Sequence, residues 1–511
     1  MKNKKSRRLT NIIKLRKNRV FERSPVFSFF KKDKVFFKKG LTKRKKCAVD
    51  FISLQLIKST LVNRGKSAVD KENKMNYTPK SIKRALKESL AQIAANPEKY
   101  AKNPGKDFTR NRKLPFEVLL KSVLSMTGKS LRGEMMDLFG LKMDAPTVSA
   151  FVQQRNKVNS RAFEDLFRTF TQEIDEKDLF KGYRLLAADG TDLHTPTNRA
   201  EKDSFHEGAN GQRPYNLLHL NALYDLKRRI YTDALIQGRK KENECRALAM
   251  MVDRDDVPVP TIYIADRGYE SYNVMAHIVE KGQKFLIRVK DIGGNGIASR
   301  LRLQCEGALD IDISLHLTRK QTRVAKETLD YLPHNVKFDY LPTSCRKGME
   351  SAPYSLSFRL VRFEIGNGKY ELLATNLMRE EFAFEELKEL YALRWGIETS
   401  FRDLKYSLAL SYFHFKKTEH ISQEIFARLT MYNFAELVTS HVTVKQKSRE
   451  LPYRINFAAA VHICREFFLK NISPSLVEGL LLQYLLPIRN RPASPRMMRT
   501  KQAPTFSYRI P

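Results

Sequence analysis

The sequence predicts a mixed α/β protein: a core of strands and helices that carries a β-rich insertion and is flanked by N-terminal and C-terminal helical regions. Three observations predict it. Short windows of β-prone residues begin at Tyr183 and alternate with helical stretches. A second series of alternating runs, between Asp291 and about Leu377, has no long helical pattern. Helical periodicity with capping residues dominates before Lys181 and again after Phe384. At 511 residues the chain is too long for one ordinary core, so roughly two to four structural units are expected.

Taken in order, residues 1–74 form a basic leader, with 24 Lys/Arg against 5 Asp/Glu, which is +19 of the chain's net +37. Its runs KNKKSRR, FFKKDKVFFKKG and LTKRKKC have no sustained period, so a disordered, phosphate-binding arm is expected, or a start of translation at Met75 that leaves the leader untranslated. Residues 75–180 are expected to be a helical DNA-binding region. Within it SIKRALKESLAQIAAN, PFEVLLKSVLSMTG and SLRGEMMDLFG read as helices, the last ending on a glycine suited to a C-cap. With APTVSAFVQQRNKV the pair SLRGEMMDLFG suits either a helix-turn-helix, in which Gln153, Gln154, Arg155 and Lys157 face DNA, or an ordinary bundle.

From Tyr183, YRLLAAD, LHLNALYDL and RRIYTDALIQ read as three successive strands. The helix KENECRALAMMVDR, the strand TIYIAD, the helix SYNVMAHIVEKG and the strand QKFLIRVK follow. Three strands, helix, strand, helix, strand is the order of an RNase H-like core, assigned to residues 181–290 and 378–434 and interrupted by the β-rich insertion at 291–377. A long helix is expected from about Phe384 to Leu410. Residues 435–511 then read as a helical region and a basic tail.

The charge excess suits a polyanionic partner, nucleic acid before an anionic membrane, with a merely solvated basic surface as the duller reading. Five scattered cysteines without C-x-x-C spacing argue against a disulfide framework and a structural zinc site, and for a reducing compartment. The longest apolar run, around LLLQYLLPI, falls short of the roughly 20 residues that span a bilayer. No apolar stretch follows the N-terminal lysines as a secretory signal would require.

Two acids end apolar strands: Asp189, where LLAA runs out into DGTD, and Asp266, where TIYIA runs out into DRGYE. Adjacent strand ends can bring two carboxylates together, and hard cations such as Mg²⁺ take oxygen ligands. Taken singly, either aspartate also suits a turn or a helix cap. In YALRWGIETSFRDLK the side chains of Tyr391, Arg394, Glu398 and Lys405 fall at about 0°, 300°, 340° and 320° around a helix, one stripe about 60° wide. Leu390, Leu393, Ile397, Phe401, Leu404 and Leu408 occupy a separate apolar face. On periodicity alone the stripe also suits an exposed face with ordinary ion pairs.

The spacing Y-x-x-R-x-x-x-E-x-x-x-x-x-x-K, with RWGIE inside it, resembles the signature of the DDE transposases of the insertion-sequence-four (IS4-like) family. ADGT and ADRGY resemble that family's first and second aspartate blocks, LLATNL its strand before the third acid, and RNRKLPFEVLLKSVLSM its N-terminal helices. The 131 residues between Asp266 and Glu398 leave room for the family's β-strand insertion. The resemblance implies that Asp189, Asp266 and Glu398 are catalytic and hold two Mg²⁺ ions, with Mn²⁺ substituting. It further implies that Tyr391, Arg394 and Lys405, with Trp395 and Arg402 of the same segment, contact DNA. The implied activity is cleavage and strand transfer on double-stranded DNA, both transposon ends and target, by a homodimer in the bacterial cytoplasm, nucleoid-associated. Members of the family stack a tryptophan of the insertion on a flipped base, whereas Trp395, in the helix signature, is the single tryptophan here. Tyr331, Phe338, Tyr340 or Tyr354 is the expected replacement if a hairpin forms. Other readings are a decayed or domesticated copy that only binds DNA, and a structure-selective nuclease that cuts without joining.

Overall fold

A computed structural model describes residues 78–488 except 111, 175–177, 209–212, 302, 304–306, 343–351, 367 and 446–450. The basic leader and the basic tail lie outside the described residues.

The N-terminal part is helical: α1 (Pro79–Ala94), α2 (Phe116–Leu124), α3 (Leu131–Phe139), α4 (Val148–Arg155) and α5 (Arg161–Gln172). Local sequence sets their ends. Thr78 accepts from the Ser81 amide while the Ser81 hydroxyl caps in return, and Pro79 occupies the first turn of α1. Helix α3 stops at Gly140, whose φ of +73° is the left-handed conformation that glycine adopts freely.

The core strands are β1 (Arg184–Thr195), β2 (Phe205–His206), β3 (Tyr215–Asp225), β4 (Ile230–Gly238), β5 (Thr261–Ala265) and β6 (Lys284–Val289). Between them lie α6 (Glu244–Asp253) and α7 (Tyr272–Glu280). β4, β3 and β1 are antiparallel neighbours, and β5 and then β6 run parallel to β1. That is the RNase H-like arrangement the element order predicts. β1 and β5 are buried on both faces, so their residues alternate between two cores. Leu186, Ala188, Tyr263 and Ala265 face the core that includes α6 and α7, while Leu185, Ile262 and Ile264 face the opposite one.

The insertion supplies β7 (Leu309–Thr318), β8 (Asp330–Tyr331), β9 (Tyr354–Gly366) and β10 (Lys369–Thr375). These strands prolong the core sheet: β10 pairs antiparallel with β6, then β9, β7 and β8 follow outward in one ten-stranded sheet. The main-chain donors and acceptors on the outer side of β6 are thereby paired instead of being left at an edge.

The single helix expected from Phe384 to Leu410 is two helices, α8 (Phe384–Ala392) and α9 (Trp395–Tyr406). Beyond them come α10 (Thr418–Ser440), α11 (Phe457–Leu469) and α12 (Pro474–Gln483). Helix α10 is buried on every side from His420 to Thr439 and packs on α1, α2, α5, α11 and β4. Among the described residues, no helix is long and apolar enough to cross a membrane.

Candidate active site

β1 and β5 pair in parallel up to Ala188 beside Ala265, so the next residue on each strand is an acid: Asp189 and Asp266. Paired strands lie about 4.8 Å apart, which sets the two backbones side by side at this point. β5 ends there. β1 does not end at Ala188, as the sequence suggested, but continues to Thr195 against β3. Asp189 is therefore a residue within a strand, with its carboxylate accepting from the Gly190 amide at 2.8 Å. Asp266 caps the turn Arg267–Tyr269, its Oδ1 accepting from the Gly268 amide at 2.7 Å.

Glu398 stands in the first turn of α9. Arg394 joins it to the strands: the guanidinium donates to Glu398 Oε1 at 2.8 Å and lies 3.8 Å from Asp189 Oδ2. Burial pushes the Asp189 carboxyl up to about 7. Arg394 and the Gly190 amide pull against that rise, while the negative charges of Glu398 and Asp266 add to it. The field of each of the other two acids thus reaches Asp189. Burial disfavours the Arg394 charge, but Tyr391, Glu398 and Asp189 more than offset it and hold its pKa above the usual arginine range. Charge at this sheet end is dense, negative and partly neutralised by one buried arginine.

The remaining expected contacts divide. The half-buried Lys405 donates to Thr191 Oγ1 at 2.5 Å and to the Asp192 carbonyl at 3.0 Å, so it lies against β1 just past Asp189. Tyr391 belongs to α8. Burial raises its phenol to about 12, and its buried hydroxyl has no hydrogen-bond partner. Trp395 is half-buried, with Arg394 5.2 Å from its ring centre. Arg402 is exposed. Of the insertion aromatics, Phe338 is core, and Tyr340 and Tyr354 pack against it in one cluster, which leaves Tyr331 as the exposed one.

The N-terminal expectation needs a correction. Helices α3 and α4 exist, but α4 turns Gln154 and Arg155 inward. Arg155 is fully buried, donating to Gln423 Oε1 at 2.8 Å, to the His420 carbonyl at 2.8 Å and to Glu424 Oε1 at 3.2 Å. A guanidinium with those partners and no exposure cannot read a groove. Lys157 is half-buried beside Asp107 and lines a polar cavity with Lys106, Arg110 and Arg112.

Several residues at the site carried no sequence signal. Glu244, at the start of α6, reaches the space between the two aspartate blocks: a Cβ on Gly190 or on Gly268 would lie 2.9 and 3.0 Å from its carboxylate. Tyr269, fully buried, has a hydroxyl without a hydrogen-bond partner and feels the charges of Asp189, Glu244 and Asp266. Asp192, His219 and Glu242 bring ligand atoms within 4.8 Å of one another, a tighter gathering than Asp189, Asp266 and Glu398 make. Of these, Tyr269 in DRGYE and Asp192 in DGTD stood in segments that the sequence had singled out around the two aspartates.

Residues 180–434, which contain all three expected acids and the insertion between them, match the sequence model of a family described as the transposase DDE domain. No curated protein sequence matches the chain. Among solved structures, the piggyBac transposase synaptic complex with hairpin DNA, seen by cryo-EM, is similar with a TM-score of 0.40 and 11% sequence identity, over 83% of this chain and 88% of that chain. The chain thus carries the DDE domain of a transposase, spanning residues 180–434.

Proposed function

We propose that the protein is a cut-and-paste transposase of the IS4-like type, which binds the terminal inverted repeats of an insertion sequence, cleaves the DNA there and joins the freed 3′-ends to target DNA. In this reading Asp189, Asp266 and Glu398 are the catalytic carboxylates and two Mg²⁺ ions are their cofactor. The observation that carries it is the parallel pairing of β1 with β5, which sets Asp189 and Asp266 side by side, with Arg394 bonded to Glu398 and 3.8 Å from Asp189. Three carboxylates with one arginine between them form an oxygen-only donor set with surplus negative charge, which suits a hard dication. Ligands shared between two ions about 3.5–4 Å apart need not all meet at one point, so the wider spacing of these acids fits. When bound, the ions would supply stabilisation to the attacking and leaving oxygens of an in-line displacement at phosphorus.

The chain's own residues do the remaining work. Arg394 holds Glu398 and faces Asp189, keeping both carboxylates oriented toward the sheet end. Lys405 presents an ammonium beside the same strand, where a DNA phosphate can replace part of its contact with Thr191. In cleavage, water adds to phosphorus and the 3′-oxygen leaves. In joining, a 3′-hydroxyl takes the place of water at the same acids. A homodimer, one subunit for each transposon end, and association with the nucleoid complete the reading.

Labelled transposon ends incubated with the protein and Mg²⁺ should yield joined products. Asp266→Ala and Glu398→Gln should each abolish cleavage while leaving end binding largely intact. Retained cutting by either variant refutes the assignment. Binding without cutting by the unaltered chain would favour a DNA-binding relic, and cutting without joining a nuclease.

A further inference from the structure

We propose that Asp192, His219 and Glu242 form a second divalent-metal site, for a borderline ion of the zinc class, beside the three-acid centre and distinct from it. Asp192 and His219 face each other as direct partners across β1 and β3. His219 Nδ1 lies 2.8 Å from Asp192 Oδ1 and 3.3 Å from Glu242 Oε2. Zinc ligands at about 2.0–2.1 Å in a tetrahedron stand roughly 3.3 Å from one another, so these atoms already lie near a coordinating arrangement. The donor set separates this site from the neighbouring one: an imidazole with two carboxylates favours zinc-like ions, whereas Mg²⁺ prefers oxygen alone.

Four further observations point to a ligand. His219 is only 4% exposed. Its Nε2 lies 3.1 Å from Glu244 Oε1, the carboxylate–imidazole placement that orients a metal-bound histidine. Glu242 Oε2 is buried without a hydrogen-bond partner. Finally, the backbone leaves room for this imidazole at Gly190, where a Cβ would lie 2.3 Å from His219 Nε2.

Arg239 fills the role of the metal's charge in this conformation. Its Nε is 3.4 Å from Asp192 Oδ1, its Nη1 contacts Glu242, and its side chain is 34% exposed, so it can swing to solvent when an ion enters.

The assignment does not rest on the proposed function, and its test is read without activity. The full chain, stripped with a chelator, is dialysed against micromolar Zn²⁺ and its bound zinc measured by elemental analysis, in an Asp189→Asn/Glu398→Gln background that disables the three-acid centre. One zinc per chain is expected. His219→Gln should lose it, Glu244→Gln should weaken it about 10–100-fold, and Arg239→Ala should tighten it by removing the competing cation. Where His219→Gln does not fold, the near-isosteric Asp192→Asn and Glu242→Gln take its place. No zinc in the background protein, undiminished zinc after loss of a ligand, or no tightening in Arg239→Ala overturns the site. Any of these leaves the cleavage test above untouched.

Discussion

Asp189 couples stability to pH through one proton. Its carboxyl titrates near 7 in the folded chain against 3.8 in an unperturbed one, so the folded state binds more protons between those values. Stability from the neutral form is complete below about pH 4 and is lost as pH rises through 7. Asp189→Asn, which keeps the shape and removes the charge, should therefore stabilise the metal-free protein by about 2–3 kcal/mol above pH 7 and by little at pH 4. The check is thermal melting in chelator across that range: the difference in Tm between variant and parent should open between pH 4 and 7 and then level off. A difference independent of pH would mean that the Asp189 carboxylate carries no such penalty. The same logic explains why Arg394 lies between Glu398 and Asp189, since without a cation nearby this negative cluster would be costlier still to bury.

At the scale of elements, the break between α8 and α9 shows what periodicity can and cannot convey. Tyr391, Arg394, Glu398 and Lys405 share a stripe on an ideal helix, but the chain tightens at Leu393–Arg394, where Arg394 bonds back to Tyr391, Gly396 to Leu393 and Ile397 to Arg394 in three-residue steps. Each tight step shifts the phase, so Tyr391 departs toward the core while Arg394, Glu398 and Lys405 remain along the sheet end. The core order and the two aspartates were legible because strand runs and turn formers are local signals. Glu244 and His219 were not, because their relevance depends on β3 pairing with β1 and on where α6 begins, which no local period encodes. Arg155 was misread for a related reason: a cation near the end of a helix after a turn matches a recognition helix in sequence, while only tertiary packing reveals Glu424, Gln423 and the His420 carbonyl around it. Arg155→Ala should then act on folding. Truncating one partner of a buried ion pair costs about 3–5 kcal/mol, so the midpoint of chemical denaturation should fall sharply. Lys157→Ala, at a partly exposed ion pair, should change stability by less than about 1 kcal/mol yet reduce DNA affinity. Equal effects of the two substitutions on stability would contradict this division.

For the whole molecule, α10 ties the parts together. Buried on all sides, it carries Asn433, which accepts from the Tyr231 amide of β4 and donates to Thr171 of α5, and Glu424, which meets Arg155, Arg428 and His414. The N-terminal helices and the sheet end bearing the acids are consequently parts of one packed body. Charge is distributed differently: more than half of the net +37 belongs to residues 1–74, upstream of that body. Because counterion release makes the logarithm of affinity fall with the logarithm of salt by about 0.9 per phosphate neutralised on duplex DNA, the two contributions can be measured separately. Fluorescence anisotropy on labelled duplex, between roughly 50 and 300 mM salt, should give a steep slope for the full chain and a shallower one for a chain beginning at Met75. If the leader covers about five phosphates, the slopes should differ by about 4.5. Cleavage at low salt should survive the truncation, since all three acids and their arginine lie outside it. Equal slopes would place the whole electrostatic footprint on the folded body and leave the leader without a role in DNA binding.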